Sequence, residues 1–207
     1  LDLGSDKQAP YFGIDNEDNP AMGYRAIRIC LKEPHIFRAQ LRALLRASVY
    51  GNLNVMFPMI SRLDQVRQIK DIITGLKAEL DAEGIAYSDS IQFGIMVETP
   101  AAAVMSDVLA KEVDFFSLGT NDLTQYTMAV DRMNARVSDL FDSADPAILR
   151  LIELTAKNAH DAGIWVGICG ESAANTALTD FYMSVGIDEL SVSPSSVAAV
   201  KRAVLES

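Results

Sequence analysis

An amide, two carboxylates, a guanidinium and a thiol stand where apolar runs of this 207-residue chain come to an end. Phe115-Phe116-Ser117-Leu118 reads as a buried strand, and it stops abruptly in Gly119-Thr120-Asn121-Asp122. Glu98 closes the preceding apolar run in Met96-Val97-Glu98, and Arg132 follows one element after the Asn-Asp turn. Carboxylates at two adjacent strand ends can share a hard divalent cation, best Mg2+, with water and substrate oxygens completing its octahedron. An arginine nearby grips phosphate or carboxylate through paired hydrogen bonds. Cys169 lies between another apolar run and Gly170-Glu171, at what reads as a helix start. Such a position, near cations, lowers a thiol's pKa and equips it to exchange a proton with a substrate.

Each of these residues has a plainer reading. Glu98 can be a solvated carboxylate, and Asp122 taken alone is better read as the cap of a helix starting at Leu123; the pairing of the two shifts the balance towards a metal. Asp131 can simply pair with Arg132, although an acidic domain has little other reason for an arginine there. Arg25 sits beside Tyr24 with Arg28, Arg38, Arg42 and Arg46 not far off, and spacing does not decide its role. A free Cys is most often a small buried apolar group, which fits Cys30. For Cys169 the neighbouring glycines favour close approach by a ligand. His35 and His160 fall on helical stretches, and there is no Cys or His cluster for zinc.

The elements that must position these groups alternate. Strands are predicted at Asn54–Met59, Gln92–Val97, Phe115–Leu118, Trp165–Ile168 and Leu190–Ser193, with a short one near Tyr24–Ile27 and the tail of another at Leu1–Leu3. Near-continuous apolar runs of this kind mark parallel strands covered on both faces. Helices are predicted from a Ser61 cap to about Glu83 with a stop at Gly84, over Ala101–Ala110 after Thr99-Pro100, and over Ala147–Ala162 after Asp145-Pro146 with a stop at Gly163. Others are predicted at about Pro34–Tyr50, Glu171–Val185 and Ser195–Leu205, and Asp15–Pro20 reads as a linker. Strict β-then-α alternation gives an open doubly wound sheet or a (β/α) barrel. Reactive residues at the ends of three different strands favour the barrel, which gathers all its carboxyl ends into one ring. The expectation is an α/β fold, a (β/α)8 TIM barrel truncated at its N-terminal end, forming one domain over residues 1–207. The missing strands would leave exposed sheet edges.

Composition narrows the partners. The formal net charge is −10, which disfavours nucleic acid and anionic membranes. No run is long enough to span a bilayer, and no signal-peptide pattern opens the chain. Two well-separated cysteines read as free thiols of a reducing cytoplasm. A chain that begins at Leu1 inside an apolar-acidic run reads as part of something longer.

One family carries the same motifs in the same order: Asp2–Lys7, Gly23–Arg28, Met56-Phe57-Pro58-Met59, Ile95–Ala103, Glu112–Thr127, Ala129–Arg132 and Gly167–Glu171. Over essentially its whole length the chain resembles the C-terminal domain of Enzyme I of the bacterial phosphoenolpyruvate:sugar phosphotransferase system. The resemblance implies a dimeric (β/α)8 barrel that binds phosphoenolpyruvate and Mg2+. It implies Glu98 and Asp122 as metal ligands, Asn121, Asp122, Arg132 and Arg25 as substrate-binding residues, and Cys169 as the proton donor that completes pyruvate. It further implies transfer of the phosphoryl group to a histidine of an N-terminal domain and on to a histidine carrier protein, for sugar uptake. Pyruvate phosphate dikinase and phosphoenolpyruvate synthase share the Val-Glu, Gly-Thr-Asn-Asp and Cys-Gly-Glu elements and give the alternative reading. A Mg2+-dependent pyruvate aldolase and a silent dimerisation module are more distant ones. Two departures matter: the family's two further substrate arginines lie upstream of this chain, and its phosphoryl-accepting histidine lies in a separate N-terminal domain, so the resemblance gives neither His35 nor His160 that role. A smaller change is Ser172–Asn175 in place of the usual Met-Ala-Gly-Asp-like run.

Overall fold

A computed structural model of the chain describes residues 1–3 and 17–207. Most of the Asp2–Lys7 motif and the start of the Asp15–Pro20 stretch lie outside the described residues. The chain divides into two compact units, Leu1–Phe93 and Gly94–Ser207.

In the first unit come helices α1 (Ile27–Lys32) and α2 (Pro34–Ala47), strand β1 (Asn54–Phe57) and helix α3 (Leu63–Ala82). α2 starts on a proline, whose fixed φ suits a first helical turn, and buries Phe37, Leu41 and Leu45 at four-residue spacing. Its opposite face reaches α3: Arg38 and Arg42 pair with Glu79 and Glu83, each at 2.5 Å. At the start of α3 the cap position falls on Arg62 rather than Ser61. Gln65 bends back to accept from both backbone amides, at 2.9 Å from Ser61 and 3.1 Å from Arg62. Phe57 packs edge-on to Phe37 and stacks on Phe93, which seals the apolar side of β1. The strand predicted near Tyr24–Ile27 is absent, and Leu1–Leu3 forms no strand. Ala26 turns the chain at φ 49°, ψ −123°, and the apolar residues beyond it bury the inner side of α1 instead.

The second unit holds most of strand β2 (Gln92–Val97), then helices α4 (Pro100–Val104) and α5 (Ser106–Leu109) and strand β3 (Phe115–Gly119). Helices α6 (Thr120–Met128) and α7 (Pro146–Asp161), strand β4 (Trp165–Cys169), helix α8 (Thr179–Ser184), strand β5 (Glu189–Leu190) and helix α9 (Val197–Glu206) follow. β2, β3, β4 and β5 lie side by side in chain order, all parallel. There is no reversal of order among them, so the crevice of a doubly wound sheet is missing. Met96, Ser117, Gly167 and Glu189 are in register across the four strands. On the alternate positions Ile95, Val97, Phe116, Leu118, Val166 and Ile168 are fully buried, with α7 packed on β3 and β4.

Local signals place the helices. Thr99 Oγ1 accepts from the Ala102 amide at 3.1 Å, and the Asp145 carboxylate from the Ala147 amide at 2.7 Å, so both predicted caps are formed. The predicted Ala101–Ala110 helix is two short ones, and Asn158 of α7 donates to Ser106 at the start of the second at 2.8 Å. The predicted Glu171–Val185 helix is broken into 3-10 turns at Glu171–Ala174 and Thr176–Leu178 before α8. Asn175 interrupts it because its side chain caps Ala177 at 3.1 Å instead of continuing a helix. β5 ends at Leu190, with one further sheet bond from the Ser191 amide to Ile168 O. Pro194 can donate no further bond. Among the described residues no helix is long and apolar enough to cross a membrane.

Candidate functional site

The carboxyl ends of β2, β3 and β4 are neighbours in the sheet, and they bring three of the predicted groups to one rim. Glu98 follows β2 and is buried, at 4% exposure. β3 ends at Gly119, where a Cβ would lie 2.8 Å from Glu98 Cβ and 3.0 Å from Glu98 Oε2. Glycine is required there for the strand to pass the carboxylate. α6 begins at once, with Gly119 itself at the cap position. Asp122 therefore lies inside the first turn, not at the cap, and the plainer reading of it fails. A carboxylate in a first turn is favoured by the helix dipole. Asn121 is half-buried, and its Oδ1 accepts from the Glu171 amide at 3.2 Å, which leaves its NH2 as the end able to donate to an anion.

The thiol follows from the next strand. Cys169 ends β4 in register with Gly119. Ser117 Oγ donates to Cys169 Sγ at 3.4 Å, and Sγ reaches Leu118 O at 3.5 Å. Burial is the main influence on this thiol and pushes its pKa up; the carboxylates of Glu98 and Glu189 push the same way, against the Ser117 hydrogen bond. The expectation of a lowered pKa is thus reversed. Sequence spacing put Cys169 near cations, but the fold surrounds it with carboxylates and low-dielectric walls. Thr120 Oγ1 donates to Cys169 O at 3.0 Å, joining the Asn-Asp turn directly to the strand that carries the thiol.

Arg132 is held by its backbone. α6 stops at Ala129 in the left-handed conformation, φ 54°, and the Val130 amide returns to Gln125 O at 3.0 Å. The Gln125 side chain then accepts the Arg132 amide at 3.1 Å. Asp131 is occupied by the Met133 amide at 2.9 Å, and among the described residues the Arg132 guanidinium forms no ion pair, so Asp131 does not neutralise it. Arg25 belongs to the first unit. It is buried, at 4% exposure, with its guanidinium 3.7 Å from the Asp2 carboxylate, and it immediately precedes the turn at Ala26.

The profile of the PEP-utilising enzyme, PEP-binding domain, family matches residues 1–207. The chain belongs to this family. It is 54% identical to the phosphoenolpyruvate-protein phosphotransferase of Priestia megaterium and 54% identical to that of Bacillus subtilis (strain 168), each over 95% of this chain. It is 50% identical to that of Staphylococcus carnosus over 99% of this chain. The chain spans about a third of the length of these curated relatives: 34%, 35% and 36%. A citrate lyase from Burkholderia xenovorans shares the fold with TM-score 0.58 at 19% identity, covering 81% of this chain and 53% of that one. An HpcH/HpaI aldolase/citrate lyase family protein from Burkholderia cenocepacia does so with TM-score 0.55 at 18% identity, covering 84% and 69%. The predicted α/β architecture with a parallel sheet is borne out, and the likeness is to folds of the barrel type.

For this PEP-binding domain the donor chemistry suits one kind of metal. Among the described residues no three His, Cys, Asp or Glu side chains converge on a common point. A zinc or calcium cage needs such a cluster, whereas Mg2+ takes one or two carboxylates and completes its shell with waters and substrate phosphate. Glu98 and Asp122 fit that requirement as a pair of carboxylates at neighbouring strand ends, with the bare Gly119 letting the Glu98 side chain pack against the end of β3. Each histidine has a carboxylate neighbour of its own. His160 Nε2 meets Asp188 Oδ2 at 3.1 Å at the end of α7, and the exposed His35 lies 3.7 Å from Glu33. Cys30 is buried and its thiol pushed up by burial, as expected of a small apolar group. Sequence reading missed Ser117, Thr120, Gln125, Ser172 and Glu189. Ser117 carries a readable signal, a polar residue inside an apolar run at the alternation that also holds Cys169's partner Gly119. Thr120, Ser172 and Glu189 act through contacts distant in sequence, and Gln125 through the turn that ends its own helix.

Proposed function

We propose that the domain binds phosphoenolpyruvate with Mg2+ and serves a phosphoenolpyruvate-protein phosphotransferase. The observation that carries the reading is the Thr120-to-Cys169 hydrogen bond, which ties the Asn121–Asp122 turn to the strand that bears the thiol at one rim. Glu98 and Asp122 would hold Mg2+, which neutralises phosphoryl oxygens and the enolate oxygen when bound. The Asn121 NH2 and Arg132 would hold the phosphate and carboxylate of the substrate, and a substrate-binding role for Arg25 rests on the family resemblance alone. The P–O bond of phosphoenolpyruvate breaks as the phosphoryl group passes to an acceptor histidine outside this domain. The pyruvate enolate left behind takes the proton of Cys169 Sγ on its methylene carbon, and the thiolate regains a proton from solvent. A thiol kept protonated by burial and by carboxylates suits a donor better than a reactive thiolate would. Onward transfer to a histidine carrier protein for sugar uptake, dimerisation through this domain and a cytoplasmic setting belong to the same proposal. Relatives named phosphotransferase at 50–54% identity support it over a dikinase or synthase.

Calorimetric titration of phosphoenolpyruvate into the chain, with and without Mg2+, tests the reading. Binding that needs Mg2+ and falls at least tenfold in Asp122→Asn is expected. Binding indifferent to both, in this chain and in the full-length phosphotransferase, would sink it.

A further inference from the structure

The loop after the thiol carries a buried serine with a specific partner. Ser172 is buried, at 3% exposure, and its hydroxyl donates to Thr120 Oγ1 at 2.7 Å. Thr120, fully buried, passes its own proton to the carbonyl of Cys169 at 3.0 Å. The two bonds run in one direction, Ser172 to Thr120 to Cys169, so each polarises the next. Gly170 makes the arrangement possible: it sits at φ 103°, and a Cβ there would stand 2.6 Å from Thr120 Oγ1. From below, the Tyr182 hydroxyl reaches Ser172 O at 3.4 Å. Among the described residues the thiol itself meets only the Ser117 hydroxyl at 3.4 Å and the Leu118 carbonyl at 3.5 Å, both on β3, so its distance from the turn is set by the backbone that carries it.

We propose that Ser172 is a positioning residue: through Thr120 it sets the distance between Cys169 and the Asn121–Asp122 turn. The proposal rests on the reading of Cys169 as proton donor. Ser172 touches no substrate; it holds the backbone that aims the thiol.

The test uses Ser172→Ala and Thr120→Val, which remove hydroxyls, and Thr120→Ser, which keeps one. In the 207-residue chain, iodoacetamide alkylation of Cys169, assigned by mass spectrometry, is expected to quicken about tenfold in the first two variants and to stay within about twofold in Thr120→Ser. In the full-length phosphotransferase, kcat for pyruvate release is expected to fall about tenfold in Ser172→Ala, with KM for phosphoenolpyruvate within about twofold and Thr120→Ser close to wild type. Unchanged alkylation overturns the proposal. So does faster alkylation with unchanged kcat, or kcat and KM worsening together, since a general lesion would do that. Failure of the underlying reading registers separately, as wild-type pyruvate release by Cys169→Ala.

Discussion

The two faces of β2, β3 and β4 are made by alternate residues of the same strands, yet they do different work. One face is Ile95, Val97, Phe116, Leu118, Val166 and Ile168, all fully buried, with helices packed over it. The other is Met96, Glu98, Ser117, Gly119, Gly167 and Cys169, where small residues clear space for a few polar groups. On the first face, side-chain volume is what matters, because every methyl group is in contact. On the second, what matters is the volume left out. Gly167, for instance, gives room to Glu189 on the next strand, whose Cβ would lie 3.2 Å from an added Cβ. A parallel strand can thus hold the core with one set of alternate positions and present chemistry with the other, and a substitution should be felt in stability or in ligand handling according to the face it lies on.

The sharpest way to break that division is Phe116→Ala, which should cost about 3–5 kcal/mol in urea unfolding. A loss under 1 kcal/mol would mean that the buried face is not what holds the unit together. On the other face, Gly170→Ala should cost about 1–3 kcal/mol and weaken phosphoenolpyruvate binding beyond that loss, because the strained φ and the Thr120 contact lie at the rim. Calorimetry on folded protein separates the two effects. Tyr182 supports the rim loop from within the core, and burial raises its pKa above the ordinary 10.0. Its contribution to stability is therefore present in full below pH 10 and lost as pH rises through the folded value. Tyr182→Phe should flatten that part of the alkaline loss in thermal melts; an unchanged profile would contradict it. The smallest effect concerns Thr124, fully buried in α6 with no hydrogen-bond partner for Oγ1 among the described residues. Thr124→Val should leave the melting temperature unchanged or raise it by an amount worth about 1 kcal/mol at most.

Much of this was legible in the sequence because its causes are local. Thr99-Pro100 and Asp145-Pro146 announce helix starts through side chains that reach two or three residues along, and apolar runs announce buried strands. Glu98, Asn121, Asp122 and Cys169 could be placed at strand ends for the same reason. The errors came where a tertiary contact decided the matter. Tyr24–Ile27 has strand-like alternation, but Ala26 donates to Leu3 O at 2.8 Å and turns the chain into a helix. Asp122 looked like a cap because nothing local says that α6 starts at Thr120, where the hydroxyl is taken by Cys169 O. The Cys169 thiol is pushed up chiefly by burial, with Glu98 and Glu189 adding to it from other strands, and neither cause shows in local sequence.

At the opposite end of the same face from the rim, Phe115 and Trp165 stack with ring centroids 4.4 Å apart and planes within 4° of each other, against the bare backbone of Gly94. Trp165 is the single tryptophan of the chain. It stands four residues along β4 from Cys169, about 13 Å at strand rise. Its ultraviolet emission is therefore a built-in optical gauge of whether the interior of the sheet is intact. It lies far enough from the rim that a bound anion would leave its colour nearly unshifted, while loss of the stack would redden it at once.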